Sequence, residues 1–410
     1  VTPARQQASH TPGWLVTALA LGAIGLATLT PSTGPGIEPS FACVFCGERA
    51  FSDILVNAIL FAPLGVGLAL SGVRARRAVL GGGLVSATVE LAQLLIVPGR
   101  DPSIGDVLFN TTGTAVGIAL VWLVRELASL DDRTSARLSI AAALDVALAV
   151  LLTGWLLQPS FPRTAYWGQW TPRLGHLEWY RGRIESARIA DVEIRSRRIE
   201  DAEWARDALL RGGPVDVAFL AGPPVPGLAS LFSVYDENRQ EIFLVGPDRD
   251  DLVLRLRTRA SAWRLDQPDL HAVGAWRNLE AGAPYALRAW RPSRGEWCLD
   301  GPVERRCELG FTIGAGWGML FYAEWFPEWL RILLAVGWMA GLLVPTGFLM
   351  RRRWESVAAG VVVVVAVAVL PTVLGLRPTR GIEWVGVAMG LAAGALAARL
   401  AAHARIPPGP

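Results

Sequence analysis

Lysine is absent: all 39 residues of the lysine-plus-arginine total are arginine, which points to a GC-rich coding bias rather than to a mechanism. Charge of either sign is scarce, at 18% of residues against 52% hydrophobic, and the net charge is only +3. So small a surplus offers nucleic acid no footing, and so apolar a chain is no ordinary soluble globule. The four cysteines are too few for a disulfide scaffold. Cys43-x-x-Cys46 has no second pair at zinc-ribbon spacing, so no metal is expected, and nothing asks for a cofactor. None of the four histidines falls in a long apolar run, which excludes an imidazole proton relay inside a membrane.

What is abundant is apolar sequence in blocks of about 18–22 residues, long enough to cross a hydrocarbon core of ~30 Å. Eight membrane helices are expected, over about 14–30, 54–72, 78–97, 104–124, 139–157, 329–350, 355–375 and 382–402. A cleaved signal peptide is the competing reading of the first; a retained helix is preferred. Between the fifth and sixth, residues 159–325 turn polar and alternating. The expected order is a tail over 1–13, five helices over 14–158, an inserted domain over 159–325, three helices over 326–402 and a tail over 403–410. Arg5, Arg74, Arg76, Arg77, Arg125, Arg133, Arg137, Arg351, Arg352, Arg353, Arg399 and Arg405 would share one side, against only Arg49, Arg100, Arg377 and Arg380 in the short links opposite. The positive-inside rule then makes both termini cytoplasmic and 159–325 extracytoplasmic.

Polar residues interrupt the second to fourth blocks. Asp53/Asn57 and Asp106/Asn110 are i,i+4 pairs, and Ser86, Glu90 and Gln93 also share a helix face. The topology brings all three sets toward the outer leaflet, where Arg100, in the link Pro98-Gly99-Arg100, could meet the carboxylates. Polar groups in hydrocarbon are costly and face a bundle interior. Interhelical packing accounts for Asn57, Asn110 and Ser86 as well as a site does. For Glu90, Asp106 and Arg100 a ligand or catalytic role is preferred, because a buried ion pair is poor value as stabilisation. Asp53, at a helix start, reads equally as a cap. Gly113 and Gly117 form a GxxxG face for helix contact.

The ordered set Asp53, Asn57, Phe61-x-Pro63-Leu64-Gly65, Glu90-x-x-Gln93, Pro98-Gly99-Arg100, Ser103, Asp106, Asn110 and Gly113 resembles the VanZ-like family, over about residues 45–125. Many relatives carry His where this chain has Asn57. The resemblance implies cell-envelope biology and a tie to glycopeptide-antibiotic resistance, without naming a reaction.

In 159–325, residues 231–236 and 240–245 read as a hairpin, followed by strands at 251–258, 285–290, 296–299 and 306–309. Leu252, Leu254 and Leu256 lie on one face of the third, Arg255 and Arg257 on the other. Many short strands with Gly/Pro turns suggest an antiparallel sandwich, similar to jelly-roll, concanavalin A-like and laminin-G-like lectin domains. Cys298 and Cys307 flank a turn on adjacent strands and are expected to form a disulfide outside the cytoplasm; Cys43 and Cys46 are read as a local pair. Trp179, Trp204, Trp263, Trp276, Trp290 and Trp297 either stack on sugar rings or are core or membrane-rim residues, the latter preferred. Asp191-x-Glu193 is the nearest approach to a paired-carboxylate hydrolase site, so binding is preferred over cutting. Trp317, Trp325 and Trp329 read as interfacial anchors.

The expected fold is thus an α-helical polytopic membrane protein of about eight helices with an extracytoplasmic all-β sandwich. The favoured function is an envelope protein of the bilayer whose sandwich binds glycan or lipid-linked saccharide. The alternatives are a membrane enzyme or transporter for an anionic lipid headgroup, or a scaffold for envelope proteins. In the enzyme reading Arg100 holds the anion, Glu90 or Asp106 moves a proton, and Asn57, Gln93 and Asn110 orient the group.

Overall fold

The computed structural model describes residues 11–31, 44–45, 49–100, 102–173, 177–321, 326–351 and 353–403. Cys43, Cys46, Trp325 and most of both expected tails lie outside them. The chain divides into two compact units, residues 1–135 with 398–410, and residues 136–397. Among the described residues eight helices are long and apolar enough to cross a membrane.

The first unit contains α1 (Thr11–Thr28), α2 (Ala50–Leu70), α3 (Ala75–Leu95) and α4 (Ile104–Ser129). Small residues decide how closely they pack, because lipid tails give helices no hydrophobic reason to associate. A methyl on Gly113 or Gly117 of α4 would collide with the carbonyl oxygen of Ala58 or Ala62 of α2. That register makes α2 and α4 parallel, with the expected GxxxG face between them. Gly82 of α3 likewise leaves room for the Thr114 side chain. The arginine-bearing link after α4 is shorter than expected. Asp131 accepts the N–H groups of Arg133 and Thr134 at 3.1 and 3.2 Å, so α5 (Asp132–Leu156) starts about two turns early.

In the second unit α5 leads into β1 (Tyr166–Trp170), β2 (Arg183–Ile189), β3 (Val192–Glu193), α6 (Ala202–Arg211), β4 (Val215–Leu220), β5 (Phe232–Asp236), β6 (Glu241–Asp248) and β7 (Asp251–Leu256). Then come α7 (Arg259–Ala262), β8 (Leu270–Ala272), β9 (Pro284–Ser293), β10 (Glu296–Asp300), β11 (Arg305–Leu309) and a 3-10 helix, Ile313–Met319. Two antiparallel sheets result, ordered β1-β5-β6-β7-β8 and β11-β10-β9-β4-β2-β3. Leu252, Leu254 and Leu256 point into the core, as their alternation predicts. The opposite side of that strand is not solvated. Arg255 is 3% exposed there and holds Asp269 by two bonds of 2.6 and 2.8 Å, while Leu244 and Val253 beside it are fully buried. The five-stranded sheet is therefore covered on both faces. Cys298 and Cys307 are bonded, joining β10 to β11.

The unit continues through α8 (Glu328–Leu349), α9 (Trp354–Ala368), α10 (Leu370–Val373) and α11 (Gly381–His403). The β-branched run 361–365 is helical, since a spanning segment must satisfy its backbone internally. On α11, methyl groups at Gly386, Gly390 and Gly394 would strike the carbonyls of Val336, Ala340 and Val344 of α8. The sheets are tied to these helices. Arg377 donates its backbone N–H to Phe311 and a guanidinium N–H to Glu308, at 2.9 and 3.0 Å. Glu383, 2% exposed, accepts from the Thr312 hydroxyl and from the Arg380 N–H. Trp317 departs from its expected role as an interfacial anchor: it sits in the 3-10 helix against Phe326 and is buried, whereas Trp329 is 63% exposed.

A candidate polar site at one end of the first unit

Asp53 and Asp106 stand in the first turns of the parallel helices α2 and α4, and Glu90 comes up from the antiparallel α3 to the same end. Ser103, the N-cap of α4, is the hinge of the arrangement. Its backbone N–H donates to Glu90 Oε2 at 2.9 Å, and its Oγ accepts from the Asp106 N–H at 3.0 Å. Asp106 Oδ1 in turn accepts from Asn57 Nδ2 at 2.5 Å. Three helices are thus linked through one unbroken chain, Glu90–Ser103–Asp106–Asn57. Asp53 and Glu90 are both near enough to Asp106 to act on it electrostatically. α2 begins at Ala50, so Asp53 lies inside the first turn and does not occupy the cap position, which is Arg49.

Deeper in the bundle, Asn110 donates to Ser86 Oγ at 2.9 Å. Asn110 is 2% exposed, and its Oδ1 has no partner among the described residues. An unmet buried acceptor costs about 1–3 kcal/mol and is one mark of a place that receives something.

Gln93 and Arg100 are directed elsewhere. Gln93 Nε2 donates to the Thr28 carbonyl at 2.9 Å, and Arg100 donates to the carbonyls of Thr30 and Ala27 at 3.1 and 3.0 Å. Both serve the C-terminal end of α1, whose last carbonyls have no helical partner. Among the described residues no carboxylate pairs with Arg100. Ser103 joins the site beyond the residues expected from the sequence, and the helix-start spacing Ser103-x-x-Asp106 is the signal for it.

The β domain assembles less. Trp276 and Trp297 are core residues, and Trp204 packs against the core. Trp179 carries the Arg173 guanidinium 3.4 Å from its ring centre, and Trp290 has that of Arg305 at 5.5 Å. Trp263 is 58% exposed. Asp191 and Glu193 lie on the exposed β2–β3 turn, with Glu193 paired to Arg195 at 3.4 Å. Among the described residues no three His, Cys, Asp or Glu side chains converge as a metal site.

These features define a class: a multi-pass helical membrane protein with a polar site built across its helices and an inserted antiparallel β region. Residues 20–125 match the family model described as VanZ/LLP1, a span that contains every residue of the helical site. No lectin or laminin-G-like family is identified over the β region. Searches of curated proteins and of solved structures found no match.

Proposed function

We propose that this chain is a multi-pass protein of the bacterial cell envelope that holds the uncharged, hydroxyl-rich sugar or polyol head of an envelope lipid between α2, α3 and α4 at the outer leaflet. The bonded chain Glu90–Ser103–Asp106–Asn57 carries this reading. Carboxylates and amides match hydroxyls, which donate and accept. A phosphate would instead meet Asp53, Glu90 and Asp106, while the α1 carbonyls of Thr30 and Ala27 hold the Arg100 guanidinium at the end of that helix. The geometry therefore favours a neutral polyol over the anionic headgroup that an Arg100 among the carboxylates would hold. Glu90 and Asp106 are also the groups that would exchange a proton with a bound hydroxyl.

Orientation follows from arginine. Arg74, Arg76 and Arg77 lie at the α2–α3 link, the end of the helices opposite the site, which supports cytoplasmic termini and an outward site. The covered faces of the five-stranded sheet and the core positions of Trp276 and Trp297 favour the helices over that sheet as the place of recognition.

The test is lipid retention. The full chain, purified from membranes in mild detergent, is expected to carry a lipid with a sugar or polyol head in native mass spectrometry. Glu90→Gln combined with Asp106→Asn is expected to lower that occupancy at least tenfold at unchanged membrane abundance. Equal occupancy in the double variant sinks the reading.

A further inference from the structure

A second site is carried by the other unit and is independent of the first. A cavity of about 440 Å³ opens between the ends of α5, α6 and β9, lined by Gln158, Arg211, Arg291, Ser293 and Arg294 among others. Three guanidiniums border it and no carboxylate does. Arg291 donates one N–H to the Leu210 carbonyl near the end of α6 and lies 5.7 Å from the Trp297 ring, which leaves donors of its five for a ligand. Arg211 and Arg294 are exposed, and among the described residues none of the three has an acidic partner at ion-pair distance. The nearest acid along the chain, Glu296, is engaged by the Ser293 hydroxyl at 2.8 Å.

The cavity also lies where membrane helices end. Gln158 follows α5 by two residues, and its Nε2 donates at 3.3 Å to the carbonyl of Leu374, just past the span Trp354–Val373. Arg294 packs against Gly375 in the same link. The geometry points to a binding site for a phosphate-bearing anion, held by Arg211, Arg291 and Arg294 at the level of lipid headgroups. Planar guanidiniums pair with phosphate oxygens two bonds at a time, and three unneutralised ones side by side repel until an anion arrives. Burial, and then the neighbouring Arg294, hold the Arg291 guanidinium below its ordinary pKa, and the charge of a bound anion would favour its protonated form against both. The phosphate has two sources, a membrane lipid or a soluble compound.

The full chain in detergent separates them. Binding would be titrated with dioctanoyl phosphatidylglycerol, dioctanoyl phosphatidylcholine and inorganic phosphate, for wild type, for Arg211→Ala combined with Arg294→Ala, and for Arg198→Ala as a remote exposed control. Arg211 and Arg294 are exposed, so their truncation spares the fold; the Cys298–Cys307 bond, checked by peptide mapping, verifies it. Saturable binding of phosphatidylglycerol, at least tenfold tighter than that of the other two and lost at least tenfold in the double variant alone, supports a lipid ligand. Inorganic phosphate binding as tightly, with the same loss, supports a soluble one. No binding by wild type, no loss in the double variant, or an equal loss in Arg198→Ala overturns the proposal.

Discussion

Replacing Gly113 by alanine should disable the polar site from a distance. Gly113 is seven residues below Asp106, ~10 Å along α4 at 1.5 Å per residue. The added methyl would stand 2.8 Å from Ala58 Cα, where carbon pairs rest at about 3.5–4.0 Å, and would collide with the Ala58 carbonyl. α2 and α4 must therefore part by about 1 Å. That carries the Asn57–Asp106 contact from 2.5 Å to about 3.5 Å, beyond an effective hydrogen bond. Overpacking of this kind costs about 1–3 kcal/mol, so the solubilised chain should also melt earlier. Gly81→Ala is the matched control: nothing lies within 4 Å of a methyl there, and alanine favours helix over glycine by about 1 kcal/mol. The assay is lipid occupancy by native mass spectrometry beside thermal unfolding of the same samples. The expected result is loss of both in Gly113→Ala and retention of both in Gly81→Ala. Wild-type occupancy and melting in Gly113→Ala would refute the claim that close α2–α4 approach builds the site.

The β region yields three further expectations. Arg255→Met should lower its unfolding midpoint by the equivalent of about 3–5 kcal/mol, because Asp269 stays buried without its two-bond partner; Arg255→Met with Asp269→Leu should recover part of it, and equal losses in both would count against that cause. The Cys298–Cys307 bond should be present in protein isolated from cells with free thiols blocked at lysis, as an oxidising compartment requires; free thiols at both positions would place this region on the cytoplasmic side and remove the proposed orientation. Cys298→Ser with Cys307→Ser should cost about 2–3 kcal/mol in thermal unfolding of the same region.

Much of the architecture is written locally. Runs of about 20 apolar residues can only be helices in hydrocarbon, so the helices fall close to where hydropathy places them. Alternation in 251–256 sends Leu252, Leu254 and Leu256 to the core, and proximity across one turn pairs Cys298 with Cys307. Helical spacing also puts Asp53 with Asn57, and Asp106 with Asn110, on common faces. Tertiary structure alone decided where flexible side chains with several options went. Arg100 could reach a carboxylate or a helix end, and the carbonyls of Ala27 and Thr30 took it. Arg255 alternates like a surface residue, yet a second covering layer buries it with Asp269. Arg211, Arg291 and Arg294 border one cavity because the end of α6 and the end of β9 converge where α5 stops. Period and spacing act within one segment; a long charged side chain is directed by the partner that three dimensions bring to it.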